Sequence, residues 1–578
     1  MSAPSSVLGV AAALLAFAAP PAPQEAPALD TEETLDALRA LAADERWMEL
    51  AERSGKARSS LDRGSTAWLE ASALLGRALY VDWNPDALVE LGRDVWGAVR
   101  EDAGVGPDEP LHPLGKLDPL AAGLALEVYA VWGYALQGKG DHDAAAVALW
   151  PIPEALLHRP LPRPSSLVLE AGFALGESLL LAGREEEAKR VFAGVRDQFP
   201  GTSAATLATA RLQALGMDAY RGKYQGDPAH GERVRELLAL VPRARERLAS
   251  ALGRKVDELP PTPVGVADRP SEHDGEVAFT DGDPRRPFSP VTVVFAEALA
   301  LDWRDPLELL VHELAHAVLL QELGLAYERF PVWIHEGLSN ALAGEFEPLL
   351  GDYLAHLLGA DSAAFLGPRA EEYLRPAFAS GGRPSVETGL ALAYLEERAG
   401  PGALPRFIGE LRGGRSLDGA LLAVSGLSKE AYLEQATSFV LGKLLAERQA
   451  ALADLESLER AVRQGPAEGL AAAEAVLARQ SSALARGHAL TLRAAALEAL
   501  GEHERSLMAY GELIGERRSQ RVYLWAAKLG HARSLAALGR REDALRELSE
   551  LERAAPDSRA RQDVQRVLAS LAAPSPRD

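Results

Sequence analysis

The 578-residue chain contains no cysteine. That excludes disulfides, thiolate metal sites, cysteine nucleophiles and lipid attachment through a thiol. Any metal has to be held by histidine and carboxylate. Basic residues are outnumbered, 61 Lys and Arg against 83 Asp and Glu, and the net charge of -22 leaves no basic footprint for general nucleic-acid binding. No phosphate-cradling G-x-x-x-x-G-K-[ST], dinucleotide-binding G-x-G-x-x-G or G-x-S-x-G nucleophile elbow is found. Beyond the N-terminus no stretch approaches 18 uncharged apolar residues, so no integral membrane span is expected in the mature chain. What the chain does have is 47% hydrophobic residues, enough for buried cores, and a length suited to about three to five domains or a repeat array.

Val7 to Ala19 form an apolar run of 13 residues followed by Pro20, Pro21 and Pro23, with small residues at Ala16 and Ala18. This pattern predicts a signal peptide over residues 1–24 and export to the periplasm or the extracellular space. No Lys or Arg precedes the run, so a disordered leader is the alternative.

Internal spacing repeats along the chain. Gly176, Leu179, Gly183, Ala188, Phe192, Val195 and Pro200 put small residues where two helices touch, a turn glycine between them and a proline after the second. The spacing returns at Gly133, Leu136, Gly140, Ala145, Leu149 and Ile152, and at Ala532, Leu535, Gly539, Ala544, Leu548, Leu551 and Pro556. A weaker copy runs through Ala494, Leu497, Gly501, Ser506, Tyr510 and Leu513. These copies resemble the tetratricopeptide (TPR) repeat, although Gly172 stands where that family favours Trp. The turn glycines lie 43 residues (Gly140 to Gly183) and 38 residues (Gly501 to Gly539) apart, longer than the usual period of about 34. The copies are therefore degenerate. Residues 30–125 read as mostly helical without assignable repeats.

Between about 260 and 290 proline, glycine and aspartate crowd together and helical periodicity is lost. Val264–Val266 and Val291–Phe295 are short β-branched or aromatic runs that predict strands of a small sheet. A helix is expected from Pro306, with Asp305 as N-cap, to Gly324. The reading divides the chain into helical, TPR-like repeats at 28–215, a separate α+β domain at 220–440 and C-terminal TPR-like repeats at 445–572. The fold class is thus mainly α, with helical repeats flanking a central α+β domain.

Inside the Pro306 helix His312, Glu313 and His316 form H-E-L-A-H. The i, i+4 spacing places both imidazoles on one face, one turn apart, so two ring nitrogens can reach one ion. Glu313 is rotated by about 100 degrees and can act on a bound water without being a ligand. Apolar flanks make this a buried helix, where two imidazoles without partners are costly. Twenty residues after His316, Glu336 lies in a second apolar helical stretch ending near Gly344. His312, His316 and Glu336 supply the two His and one Glu of an open tetrahedral catalytic zinc site, one Zn2+ per chain, with Glu313 as the catalytic residue.

HELAHAVL followed by PVWIHEGLSNALAG resembles the gluzincin metallopeptidases of the peptidase MA-like type, which include thermolysin and the M1-type aminopeptidases. The likeness covers about residues 230–415, with Pro331, Trp333, Glu336 and Gly337 matching the second motif. It implies a zincin-like fold, Glu336 as third ligand and peptide-bond hydrolysis with Glu313 as general base. It also implies an oxyanion donor downstream, yet Ser385 stands where many relatives carry Tyr. Tyr353, His356, Tyr373 and Tyr394 remain candidates. His335 is expected beside the ligands, and Asn340, Glu345 and Glu347 are candidates for orienting them. Asp281 and Asp283 read as a turn.

The expected function is a zinc-dependent peptidase. Endopeptidase activity is favoured because no G-x-M-E-N-type motif is found, with peptide or protein substrates and a protein partner for the repeats. The alternative is a TPR interaction scaffold carrying a catalytically degenerate zinc-peptidase-like domain.

Overall fold

The computed structural model describes residues 31–104, 117–158, 166–217, 228–269, 273, 277–285, 290–296, 305–344, 346–376, 386–479, 481–515, 521–554 and 558–572. The protein is mainly helical, with three short strands among the described residues. The predicted signal segment, Ser385, Glu345 and Pro556 lie outside them. Two compact units are present, residues 1–135 with 154–165, and residues 136–153 with 166–578.

In the first unit four helices follow one another, Thr31–Ala43, Trp47–Ser60, Thr66–Val81 and Pro85–Asp102. Ser65 and Asn84 start the last two by accepting hydrogen bonds from the backbone N–H of Trp68 and Ala87, which satisfies donors that the first turn leaves open. Leu35, Leu38, Leu41 and Leu50 interlock in one core. The helix Pro119–Gly138 is long and apolar enough to cross a membrane by length and composition, which the sequence reading did not single out. However, 72% of its apolar window is buried within the protein. Glu127 inside it takes a bidentate ion pair from Arg77, at 2.7 and 2.9 Å.

The second unit contains antiparallel helix pairs. Ser166–Leu181 packs on Glu185–Gln198, and the turn between them needs Gly183 at φ 75°, a conformation that costs glycine nothing. Gly176 is required by contact, because a Cβ there would stand 2.3 Å from the Phe192 ring. The Ala483–Ala499, His503–Gly515, Arg521–Ala537 and Arg541–Ala554 helices pack in sequence, with Gly501 and Gly539 at φ 77° and 80° in the turns. Leu179, Ala188, Phe192, Leu497, Tyr510, Leu535, Ala544 and Leu548, singled out by spacing, are all buried.

A three-stranded sheet sits in the same unit, with β1 Val264–Ala267, β2 Ala278–Asp281 and β3 Val291–Phe295. The order is β1-β3-β2, β3 running parallel to β1 and antiparallel to β2. The sequence reading anticipated β1 and β3 but not β2. Side chains alternate between faces, and each face takes a helix. On one, Ser203–Ala214 approaches so closely that a Cβ on Gly265 would lie 2.3 Å from Ala210 Cα. The other face, which carries Thr280 and Thr292, meets the helix Pro306–Leu323. Along β1 the Gln213 amide bonds Val266 at both its N–H and its carbonyl, at 2.8 and 2.9 Å, as a neighbouring strand would.

One hydrophobic core joins buried residues from Leu237 to Ala527. The 36-residue helix Lys429–Gln464 contributes Tyr432, Val440, Leu444, Leu455 and Leu458 to it. The boundary expected at 440–445 falls within this helix.

Candidate metal centre

The helix Pro306–Leu323 starts as its sequence dictates. Asp305 Oδ1 accepts hydrogen bonds from the N–H of Leu307 and Glu308, at 2.8 and 3.4 Å, and Pro306 occupies a first-turn position where no N–H is needed. From Leu309 to Leu320 every residue is buried, so this is a central helix rather than an amphipathic surface one. Burial on all sides puts His312, Glu313 and His316 away from bulk water, at 5%, 6% and 9% exposure.

The helix Val332–Ala343 brings Glu336 to the same place. Gly344, in the left-handed region at φ 72°, ends it, and the Arg247 guanidinium donates to the terminal carbonyl of Ala343. Its approach to the helix Val386–Ala399 depends on two glycines. A Cβ on Gly337 would lie 2.7 Å from the Thr388 carbonyl oxygen, and one on Gly389 would lie 2.9 Å from Asn340 Cβ.

The ligand-type atoms of His312, His316 and Glu336 all lie within 4.8 Å of one another. His312 Nε2 and His316 Nε2 are 3.1 Å apart. The Glu336 carboxylate approaches them with Oε1 3.4 Å from His316 Nε2 and Oε2 3.7 Å from His312 Nε2. A tetrahedron with bonds of about 2.0–2.1 Å has ligand atoms about 3.3–3.4 Å apart; the His316–Glu336 separation equals that edge, the two imidazole nitrogens stand slightly closer, and the closest approach of Glu336 to His312 is longer and made by its other oxygen. Two nitrogens and a carboxylate oxygen are also the donors zinc accepts when thiolates are absent. The donor set and its spacing fit a single divalent ion.

Three further residues complete the surroundings, and the sequence reading named only one. Tyr327, on the short helix Leu325–Arg329, places its hydroxyl 2.8 Å from His316 Nδ1. With Nε2 turned to a metal, Nδ1 carries the proton and donates to the Tyr327 oxygen, which fixes the tautomer. Burial, with Glu336 and Glu313 nearby, holds the Tyr327 phenol well above its ordinary pKa, so it stays neutral. His335 stacks at a tilt on the Tyr327 ring with centroids 5.0 Å apart, and its Nδ1 lies 3.9 Å from Glu336 Oε1. Burial and then His316 hold its pKa below the usual value against the pull of Glu336.

Thr280 is the third. From β2 its hydroxyl lies 3.1 Å from Glu313 Oε2, 3.0 Å from the Glu313 carbonyl oxygen and 2.8 Å from Thr292 Oγ1.

The other anticipated residues are placed elsewhere. The Tyr373 hydroxyl donates to the Leu357 carbonyl at 2.8 Å and that of Tyr394 to Gln435 at 2.6 Å, so neither is aimed at the metal centre. His356 is exposed, and Tyr353 packs at the edge of the core. Asn340 sits at the Gly389 crossing with its Oδ1 buried and without a hydrogen bond among the described residues. The Glu347 side chain lies outside the description. Asp283 accepts from the Arg285 N–H at 2.9 Å, the expected turn, whereas Asp281 is the last residue of β2, paired with Val291.

No motif marks the residues the sequence reading passed over: Tyr327 follows His316 by 11 residues in a separate short helix, and Thr280 lies on the unanticipated β2. No protein-family model matches the chain, and no curated protein matches it.

Proposed function

We propose that the protein is a zinc-dependent peptidase of gluzincin type. The observation that carries this reading is the convergence of His312, His316 and Glu336, with ligand-type atoms all within 4.8 Å of one another, beside the buried Glu313 carboxylate on the helix of the two histidines. A zinc ion held by that triangle would supply Lewis acidity, bringing the pKa of a coordinated water towards about 7 and polarising a substrate carbonyl. Glu313 accepts a proton as water adds to the peptide carbonyl carbon. It then delivers that proton to the amide nitrogen as the C–N bond breaks, which leaves a carboxylate and an amine and returns Glu313 to its base form. Tyr327 keeps His316 in the ligating tautomer, and burial of the motif helix limits competing water.

The surrounding architecture belongs to the same proposal. Residues 220–440 form a zincin-like α+β domain, and the helix pairs of 28–215 and 445–572 are degenerate TPR-like repeats that shape access or dock a protein partner. Residues 1–24 direct export, and the substrates are peptides or proteins cut internally. The repeat reading is supported by turn glycines at matching positions and by the Gly176–Phe192 and Gly530–Tyr510 contacts.

Zinc content per chain, measured on untagged protein purified without added metal, tests the proposal. About one zinc per chain, lost in His316→Ala, is expected. Absence of zinc after stoichiometric addition would sink it. The alternative, an interaction scaffold with a degenerate site, is favoured by one observation: the hydroxyls of Tyr373 and Tyr394 are bonded away from the centre. Full zinc occupancy with no hydrolysis of a broad peptide library would select it.

A further inference from the structure

We infer that Thr280, backed by Thr292, is the positioning residue for the general base Glu313, an assignment that rests on the peptidase reading above. A glutamate on a helix has three rotatable side-chain bonds, so the plane of its carboxylate is set by the groups it touches. Catalysis by proton transfer needs that plane fixed to within hydrogen-bond reach of one water.

The sheet supplies the constraint. Thr280 and Thr292 are directly opposed across the β2–β3 pair, the arrangement in which threonine hydroxyls bond each other across strands. Thr292 is fully buried in the central strand, and its hydroxyl can give its proton to Thr280 Oγ1 at 2.8 Å. Thr280 can then direct its own proton to Glu313 Oε2 at 3.1 Å. The same oxygen stands 3.0 Å from the Glu313 backbone carbonyl, so the hydroxyl spans the main chain and the side chain of one residue. Both threonines are β-branched and stiff at χ1, and they lie on strands rather than loops. A hydrogen bond to a carboxylate is among the stronger ones, and this one ties Oε2 to the sheet.

The contact is also specific to hydroxyl chemistry. Valine has the shape of threonine without the donor, so Thr280→Val removes the hydrogen bond and keeps the packing, whereas Thr280→Ser keeps the hydroxyl and loses a methyl group. The experiment compares wild type, Thr280→Val, Thr280→Ser and Thr292→Val as full-length zinc-loaded proteins, by zinc content, thermal midpoint and steady-state cleavage of a fluorogenic peptide. Expected are unchanged zinc content, kcat lowered on the order of 10-fold in Thr280→Val with KM within about twofold, recovery in Thr280→Ser, and a smaller kcat loss in Thr292→Val. Thr280→Val with wild-type kcat overturns the assignment and leaves the peptidase reading standing. Loss of zinc or of the folded state in Thr280→Val, unrepaired by serine, also overturns it, because Thr280 would then be structural. A zinc-loaded wild type that cleaves nothing overturns the peptidase reading, and this assignment falls with it.

Discussion

The helix pairs and the candidate metal centre are both built from packed helices, yet they treat buried polar groups in opposite ways. In the pairs two carboxylates are each answered by an arginine. Glu177 takes both arms of the Arg211 guanidinium between the helices Ser166–Leu181 and Ser203–Ala214, and Glu498 takes both arms of Arg533, at 2.6 and 2.9 Å. At the centre the Glu336 carboxylate converges with two imidazole nitrogens, which are uncharged in the form that ligates metal. A paired charge is a closed account of stability; three lone-pair donors within 4.8 Å of one another can hold a cation. Helix packing alone therefore does not identify a site, and the chemistry of what is buried does.

Substitutions can sharpen that contrast. The largest effect is expected at the centre: Glu313→Gln should keep about one zinc per chain and lower kcat by about 10²–10⁴-fold, the usual contribution of a general base. Peptide cleavage at wild-type rate in that variant would refute the catalytic role. Next, Glu177→Ala should cost about 1–3 kcal/mol of stability, because it leaves the part-buried Arg211 guanidinium without that carboxylate, while zinc content stays unchanged. Chemical denaturation with parallel metal analysis checks both halves. Replacing the pair together, Glu177→Leu with Arg211→Met, should recover most of the loss.

Glycines give a third test. Gly337→Ala places a methyl group 2.7 Å from the Thr388 carbonyl oxygen, a backbone atom, so the clash is relieved only by parting the helix that carries Glu336 from the helix Val386–Ala399. Overpacking of about 1–3 kcal/mol outweighs the gain in helix propensity of about 1 kcal/mol, so stability and zinc affinity should both fall. Gly442, exposed within the long helix Lys429–Gln464, has nothing within 4 Å of its Cβ position. Gly442→Ala should therefore stabilise by about 0.5–1 kcal/mol. Equal effects at the two glycines would show that propensity, not contact, governs both.

How much of this was legible in the sequence depended on whether the signal was local. The motif helix and its ends were readable, since Asp305, Pro306 and Gly324 act within one turn of the helix. The meeting of the two imidazoles was readable as well, because i, i+4 histidines share a face whatever surrounds them, and Glu336 does converge with them. The β2 strand was not: Ala278–Asp281 is four residues long and carries one β-branched residue, so it gains its conformation from pairing with β3 rather than from propensity. Thr280 was hidden with it. Tyr327 was hidden for another reason, since its hydroxyl reaches His316 across a chain reversal at Gly324, where φ is 54°. The expected domain edge near 215–220 met a similar obstacle. The helix Ser203–Ala214 continues the series of helix pairs through Arg211 and covers the sheet through Ala210 and Gln213, two packing roles that a one-dimensional pattern cannot separate.

The smallest effect lies in the C-terminal helix pairs and concerns pH. Burial alone would raise the Glu498 carboxyl, but hydrogen bonds from Arg533, the charge of that guanidinium and the Tyr510 hydroxyl at 2.8 Å outweigh it, and the group is held below its ordinary value of 4.5. The folded state therefore binds a proton at Glu498 less readily than the unfolded chain does. Its contribution to stability is fully present above the ordinary carboxylate range, where both states are ionised. It is lost as pH falls, beginning near 4.5 as the unfolded chain takes up the proton and ending below the folded value. Glu498→Gln lacks this contribution at every pH. The difference in thermal midpoint between wild type and Glu498→Gln should thus be constant from pH 8 to about 6 and shrink steadily as the solution is acidified below the ordinary carboxylate value. A difference that grew on acidification would mean that burial, not Arg533, sets the protonation of Glu498, and the one-to-one pairing attributed to the helix pairs would fail at this position.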